Sequence, residues 1–328
     1  MRFGLFINWL LEIILYPIRP LHKLKRVLQN FFFMPDILPA KAPKVLKDML
    51  PPGLRLLRWQ LWLKWTIAPT LAFRQAWGLF VTPRRLPLKA WEAPALADAA
   101  RRTVAAATGT VAVYEWGPAA APAVLLVHGW EHRASFWGAW VGPLLAAGYR
   151  VVALDGPAHG ASSGRQVTLT DFGGAIQAVI NTLGEVRAIV AHSFGAASVA
   201  GLPVRLPAGA VLPRLVLMSA PEGLQVVAER FADFLRLPHG LVGRFATHIQ
   251  RTTGRPADSF AAAVAGPRMG AEKVLVLHDE DDEIIPYAEG QEIAAAWPGA
   301  VFHATQGLGH NRILRDAEVI QTAVAFLA

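Results

Sequence analysis

Five short apolar runs, each closing on a polar residue or a turn, constrain this chain more than any other feature. They are "PAVLLVHG", "YRVVALDG", "VRAIVAHS", "PRLVLMSAP" and "EKVLVLHDE". A strand buried on both faces needs continuous apolar sequence, and a sheet covered by helices on both sides is the structure that buries it so. The intervening "SFWGAWVGPLLAAG", "LTDFGGAIQAVINTLG" and "FGAASVAGL" read as covering helices. "RTVAAAT" and "TVAVYEW" add two strands upstream, and "AVFHATQ" adds one before a C-terminal helix. The expected class is α/β, a mostly parallel sheet with helices on both faces and its functional groups at the carboxyl ends of the strands.

Apolar residues make up 53% of the 328 and charged residues 17%, so a sizeable core is available. Cysteine is absent, which excludes disulfides, thiolate metal sites and cysteine nucleophiles. The net charge of +8 is unevenly spread: residues 1–90 hold 15 Lys and Arg against Glu12, Asp36 and Asp48, whereas the remainder is mildly acidic. The leading part also carries Trp9, Trp59, Trp62, Trp65 and Trp77, a mixture suited to an anionic bilayer surface. No zinc-finger spacing, basic zipper or RNP-like motif accompanies the charge, so nucleic acid is not an expected partner.

The stretch Phe3–Ile18 is apolar, but as a helix it rises only about 24 Å against a bilayer core of about 30 Å. Gly4, Asn8 and Glu12 form one polar stripe, which favours a helix lying at an interface or docked on the body. The basic residues Arg19, His22, Lys23, Lys25 and Arg26 follow, and the expected location is cytoplasmic with peripheral contact to the inner face of the membrane. A linker between Phe31 and Pro52 leads to one or two amphipathic helices broken near Pro69. These features define an arm, residues 1–90, and a body, residues 91–328.

At Ile189–Ser198, "IVAHSFGAAS", Ser193 sits where a strand turns into a helix between the small residues Ala191 and Gly195. This is a small-x-Ser-x-small nucleophile elbow, with alanine at the first small position. A helix-capping serine gives the same local pattern, so the partners decide. "HDEDDEIIP" follows the strand Val274–Leu277 and offers carboxylates, and "GLGHNRIL" follows the last strand and offers His310. An imidazole so placed takes the serine proton and returns it to a leaving group, while a buried acid fixes its tautomer.

With "HGW" at His128–Trp130 and "DGPAHGASSG" at Asp155–Gly164 added, the chain resembles the α/β-hydrolase superfamily, in its bacterial serine-hydrolase, esterase-like branch, over about 110–328. The resemblance implies an α/β-hydrolase fold and a triad of Ser193, Asp282 and His310. It places oxyanion donors at the backbone N–H groups of Trp130 and Phe194, and it implies no cofactor. Asp282 is the acid because His278 and Pro286 align with the family's H-G-x-x-D-x-x-V-P pattern; Asp279 stands where glycine is usual. Residues 1–90 inherit nothing from the resemblance.

His128, His159 and His192 lie in motif turns and are expected to organise loops, while His278 belongs to the acid turn and His303 to a strand. A metal at His278, Asp279, Asp281 and Asp282 lacks paired-histidine spacing and is not expected. The insertion at about 222–270 is expected to form a small helical cap. Its Phe231, Phe234, Leu235, Leu237, Leu241 and Phe245 either line an acyl pocket or form the seam by which the cap docks. The function expected is hydrolysis of an ester or thioester of a hydrophobic acyl group. Two alternatives stay open: other chemistry on the same scaffold (C–C or amide hydrolysis, acyl transfer), and a noncatalytic ligand-binding or membrane-scaffold protein.

Overall fold

Eight strands carry the architecture: β1 (Ala100–Ala106), β2 (Gly109–Trp116), β3 (Ala123–Val127), β4 (Arg150–Asp155), β5 (Val186–His192), β6 (Arg214–Met218), β7 (Val274–Asp279) and β8 (Val301–Thr305). The computed structural model describes residues 52–202, 204–205, 213–269 and 271–328. The expected interfacial segment Phe3–Ile18, the basic run behind it and nearly all of the linker lie outside the described residues. The strands form one sheet in the order β1-β2-β4-β3-β5-β6-β7-β8. β2 runs antiparallel to β1 and β4, and every other neighbouring pair is parallel. Each strand anticipated from the sequence is present. The chain winds outward from β3 to β4 and then returns to β5 on the other side, which opens a crevice at the carboxyl ends of β3 and β5.

Strand alternation divides the interior into two cores. Leu125, Val127, Val152, Leu154, Ile189, Ala191, Leu215 and Leu217 face one layer, which is filled by α4 (Leu169–Ile180) and α5 (Phe194–Gly201). Val124, Leu126, Val151, Ala153, Ala188, Val190, Val216 and Met218 face the other, filled by α3 (Gly138–Ala146) and α11 (Ala317–Leu327). Because both faces are covered, β3 to β7 are almost wholly buried, as their apolar sequence requires. Two of the covering helices, α4 and α11, start on side-chain caps. Thr168 and Asp171 form a capping box on α4, and Asp316 accepts the N–H groups of Glu318 and Val319 on α11. The helix expected from Ser135 instead opens with a 3-10 turn, Ala134–Trp137, where buried Asp155 accepts the Ala134 N–H at 2.7 Å.

Pro69 separates α1 (Pro52–Ile67) from α2 (Pro69–Val81) and occupies the first position of α2, where its missing N–H costs nothing. The insertion after β6 forms α6 (Leu224–Leu235), α7 (His239–Thr253) and the single turn α8 (Ala262–Ala265). α9 (Tyr287–Ala296) and the short α10 (Gly309–Arg312) complete the set. Two compact units result. One comprises Trp77–Arg230 and Phe245–Ala328, with the whole sheet; the other joins the leading segment through Ala76 to Phe231–Arg244. Within the second unit, the Arg58 guanidinium donates to the Phe234 carbonyl at 2.5 and 3.1 Å, and Arg244 lies over the Trp65 ring at 5.2 Å. Of the insertion's apolar residues, Leu235, Leu237, Leu241 and Phe245 are buried, whereas Phe234 is 58% exposed.

Trp140 is fully buried under the sheet and donates its indole N–H to the Leu314 carbonyl at 2.8 Å. Trp140→Ala is expected to lower stability in urea unfolding by about 3–5 kcal/mol. Val301→Ala, on the exposed edge strand, is expected to change it by less than about 0.5 kcal/mol. Equal effects would contradict the layered core.

Candidate active site

Ser193 follows directly on β5 in a backbone conformation that L-residues avoid, φ 53° and ψ −122°, and α5 begins at the next residue. Two glycines make the turn fit. A Cβ on Gly195 would stand 2.4 Å from the His128 carbonyl oxygen, and one on Gly129 would stand 2.9 Å from Ser193 Cβ. The β3 and β5 ends therefore approach as closely as they do only because both positions lack a side chain. The Ser193 N–H is tied to the Met218 carbonyl at 2.9 Å. By contrast, the N–H groups of Trp130 and Phe194 have no hydrogen-bond partner among the described residues.

The three residues singled out from distant stretches meet here. His310 Nδ1 lies 2.8 and 3.0 Å from the two carboxylate oxygens of Asp282, and its Nε2 lies 3.0 Å from Ser193 Oγ. With Nδ1–H donating to the carboxylate, Nε2 carries the lone pair that accepts the serine hydroxyl proton. Asp282 Oδ1 also accepts the N–H groups of Ile284 and Ile285, both at 2.9 Å. Burial works against the Asp282 charge, but His278, His310 and the Ile285 N–H outweigh it and hold its pKa well below the usual carboxylate range. Asp279 and Asp281, the competing carboxylates of the turn, form no hydrogen bond with the imidazole; both bind backbone of the loop that carries it.

The remaining histidines brace loops. His128 donates to the Gly129 carbonyl and accepts the Gly156 N–H at 2.8 Å, and His159 donates to the Pro157 carbonyl. His192 Nε2–H donates to the His310 carbonyl at 2.9 Å, so the residue before the serine holds the backbone of the base. His132 stacks at 5.5 Å on His192. Among the described residues, no group of three or more His, Asp or Glu side chains is placed to hold a metal ion.

One set of supports was not legible in the sequence. Arg84 grips the Glu131 carboxylate through Nε at 2.8 and 2.9 Å, and Glu131 itself has φ 59°. Arg85 donates to the carbonyls of Ser162 and Gly164, and Glu92 accepts the Ser135 hydroxyl at 2.6 Å. Residues 82–92 thus lace the loops after β3 and β4. The paired arginines were a visible signal, but nothing in their spacing named partners about 47 and 77 residues away.

A scan against protein families matches residues 124–322 to the alpha/beta hydrolase family. The chain belongs to that family. Among curated proteins it is 27% identical over 256 residues to a bifunctional esterase/perhydrolase of Acinetobacter calcoaceticus, covering 63% of this chain and 91% of that one. It is 25% identical over 268 residues to a non-heme chloroperoxidase of Streptomyces lividans, covering 66% and 96%. Among solved structures, an esterase of Pyrococcus furiosus superposes with a TM-score of 0.55 at 18% identity, covering 75% of this chain and 96% of that one; this likeness carries the fold. Membership of the alpha/beta hydrolase family, with an esterase/perhydrolase and haloperoxidases as relatives, makes the chain a hydrolase.

Burial holds four imidazoles neutral. The pKa values of His128 and His192 are pushed well below normal, that of His159 to about 4 and that of His132 to about 3. In the unfolded chain each titrates near 6.5, so below that pH unfolding takes up protons and stability falls as pH falls. Each group contributes up to about 1.4 kcal/mol per pH unit until its folded pKa is reached. The urea midpoint is therefore expected to drop between pH 7.5 and 5.5. His132→Phe is expected to flatten the slope by about one proton; an unchanged slope would count against a neutral His132.

Proposed function

We propose that this hydrolase uses Ser193 to cleave an ester or thioester of a hydrophobic acyl group through an acyl-enzyme. The observation that carries the reading is the 3.0 Å approach of His310 Nε2 to Ser193 Oγ, with Asp282 on the opposite ring nitrogen. As Oγ attacks the carbonyl carbon, its proton passes to Nε2, and the carbonyl electron pair moves onto oxygen. The unpaired N–H groups of Trp130 and Phe194 receive that charge, each donor being worth about 3 kcal/mol of barrier. The C–O or C–S bond then breaks, and Nε2 returns the proton to the leaving alcohol or thiol. Water repeats the sequence on the acyl-enzyme and frees the acid. Ionised Asp282 stabilises the imidazolium without taking its proton. The hydrophobic preference rests on the Trp130 and Phe194 rings, which meet edge-on at 5.1 Å beside the nucleophile.

With p-nitrophenyl esters of increasing chain length, kcat/KM is expected to rise beyond acetate. Ser193→Ala and His310→Ala are expected to lose at least about 10³-fold, and Asp282→Asn about 10²-fold or more. Ester turnover that survives Ser193→Ala would overturn the assignment and leave a scaffold or a different nucleophile.

A membrane-surface role for the leading unit has its own support. Its described residues include Arg55, Arg58, Lys64, Arg74, Arg236 and Arg244 against the single acid Asp233. Leu56, Leu71 and Phe234 in the same unit are 37%, 52% and 58% exposed. No helix among the described residues is long and apolar enough to cross a membrane. Basic charge with exposed apolar side chains suits peripheral docking on anionic lipid, such as an inner leaflet carries. The full chain is expected to sediment with phosphatidylserine-containing vesicles and to detach in 0.5 M salt, with Phe234→Asp weakening binding. Equal recovery with neutral vesicles, or none with anionic ones, would contradict this role.

A further inference from the structure

Four consecutive backbone N–H groups of the loop carrying His310 each donate to a carboxylate of the turn "DEDDE", Asp279–Glu283. Gly307 N–H meets Asp281 Oδ2 at 2.9 Å, Leu308 N–H meets Asp279 Oδ2 at 3.0 Å, Gly309 N–H meets Asp279 Oδ1 at 2.8 Å, and His310 N–H meets Glu283 Oε2 at 3.2 Å. The backbone of this loop explains why its amides converge. Gly307 and Gly309 have φ 79° and 64°, whereas Leu308 between them is right-handed, and alternation of hand turns successive N–H groups toward one concave side. Such a concavity attracts an anion. Here the chain supplies its own, from the fully buried side chain of Asp279 at the end of β7.

We infer that Asp279 is a positioning residue for the proposed serine chemistry, acting as a fixed internal anion that sets the height and angle of the His310 imidazole over Ser193. The inference rests on His310 being the base. Asp279 forms no hydrogen bond with the imidazole or with Ser193; it acts through the loop backbone. Its two oxygens accept four hydrogen bonds in all, from Leu308, Gly309, the Asp281 N–H at 3.0 Å and the Thr305 hydroxyl at 2.7 Å. Glycine, the residue usual at this position in the resemblance, supplies no such acceptor. Asp282 and Asp279 thus divide the work within one turn, the first holding the ring and the second holding the backbone beneath it.

Asp279→Asn tests this. The carboxamide must present an NH2 to one of the two donor pairs, which cannot be satisfied in place. By amide hydrogen exchange on the full chain, Leu308 and Gly309 are expected to exchange about tenfold faster or more while the β3 and β5 amides are unchanged. On a p-nitrophenyl ester, kcat is expected to fall about tenfold or more with KM within about twofold, because the base is displaced and the pocket is not. Thr305→Val, which removes one donor and leaves the carboxylate, is the milder companion should Asp279→Asn fold poorly. It is expected to raise Leu308 exchange and lower kcat a few-fold, again without moving KM. Loop exchange and kcat both unchanged in the two variants would overturn the inference. Should Ser193→Ala hydrolyse the ester as well as the unaltered chain, the serine assignment fails, and the exchange measurement still decides whether Asp279 holds the loop.

Discussion

Everything at the carboxyl edge of this sheet depends on holding Ser193 in a left-handed conformation at the end of β5. That backbone costs on the order of 1–3 kcal/mol, and it persists because its surroundings over-determine it. The Ser193 N–H is fixed to β6, the side-chain-free positions Gly129 and Gly195 let β3 press against the turn, and α5 starts one residue later. Next to that turn, the N–H groups of Trp130 and Phe194 have no hydrogen-bond partner among the described residues. Strain and close approach are consequences of one tight turn.

Electrostatics then separates groups of the same chemical type. Of the five imidazoles His128, His132, His159, His192 and His310, only His310 has a carboxylate on one nitrogen and the serine hydroxyl on the other. The rest are spent on carbonyls, an amide and ring stacking, and burial keeps His128, His132, His159 and His192 uncharged. A neutral shell places no competing positive charge beside the imidazolium that forms during turnover. Three carboxylates of the acid turn likewise serve backbone, and one serves the ring. The environment of each group, more than its identity, sets its role.

The sheet was legible because burial on both faces leaves a signal within each strand: "AVLLV", "VVALD" and "LVLM" need no knowledge of their neighbours. The candidate site was legible for a related reason, since a strand-to-helix turn needs small residues beside Ser193, and loops after strands are where acids and bases gather. The resemblance supplied the choice of Asp282 over Asp279 and Asp281, which local pattern alone left open. What stayed hidden was long-range and side-chain specific. The grip of Arg84 on Glu131 and the pairing of Arg58 with the Phe234 carbonyl join positions 47 and 176 residues apart, and no periodicity encodes such partners. The loop-holding role of Asp279 leaves no local signal, because its partners include backbone amides of a loop that follows the next helix and strand.

The most direct test of the central claim is covalent. Stoichiometric reaction with a fluorophosphonate, followed by peptide mass spectrometry, is predicted to place one phosphonyl group per chain on Ser193 and to become far slower in His310→Ala. A folded chain that stays unmodified, or one modified elsewhere at equal rate in both proteins, would contradict it.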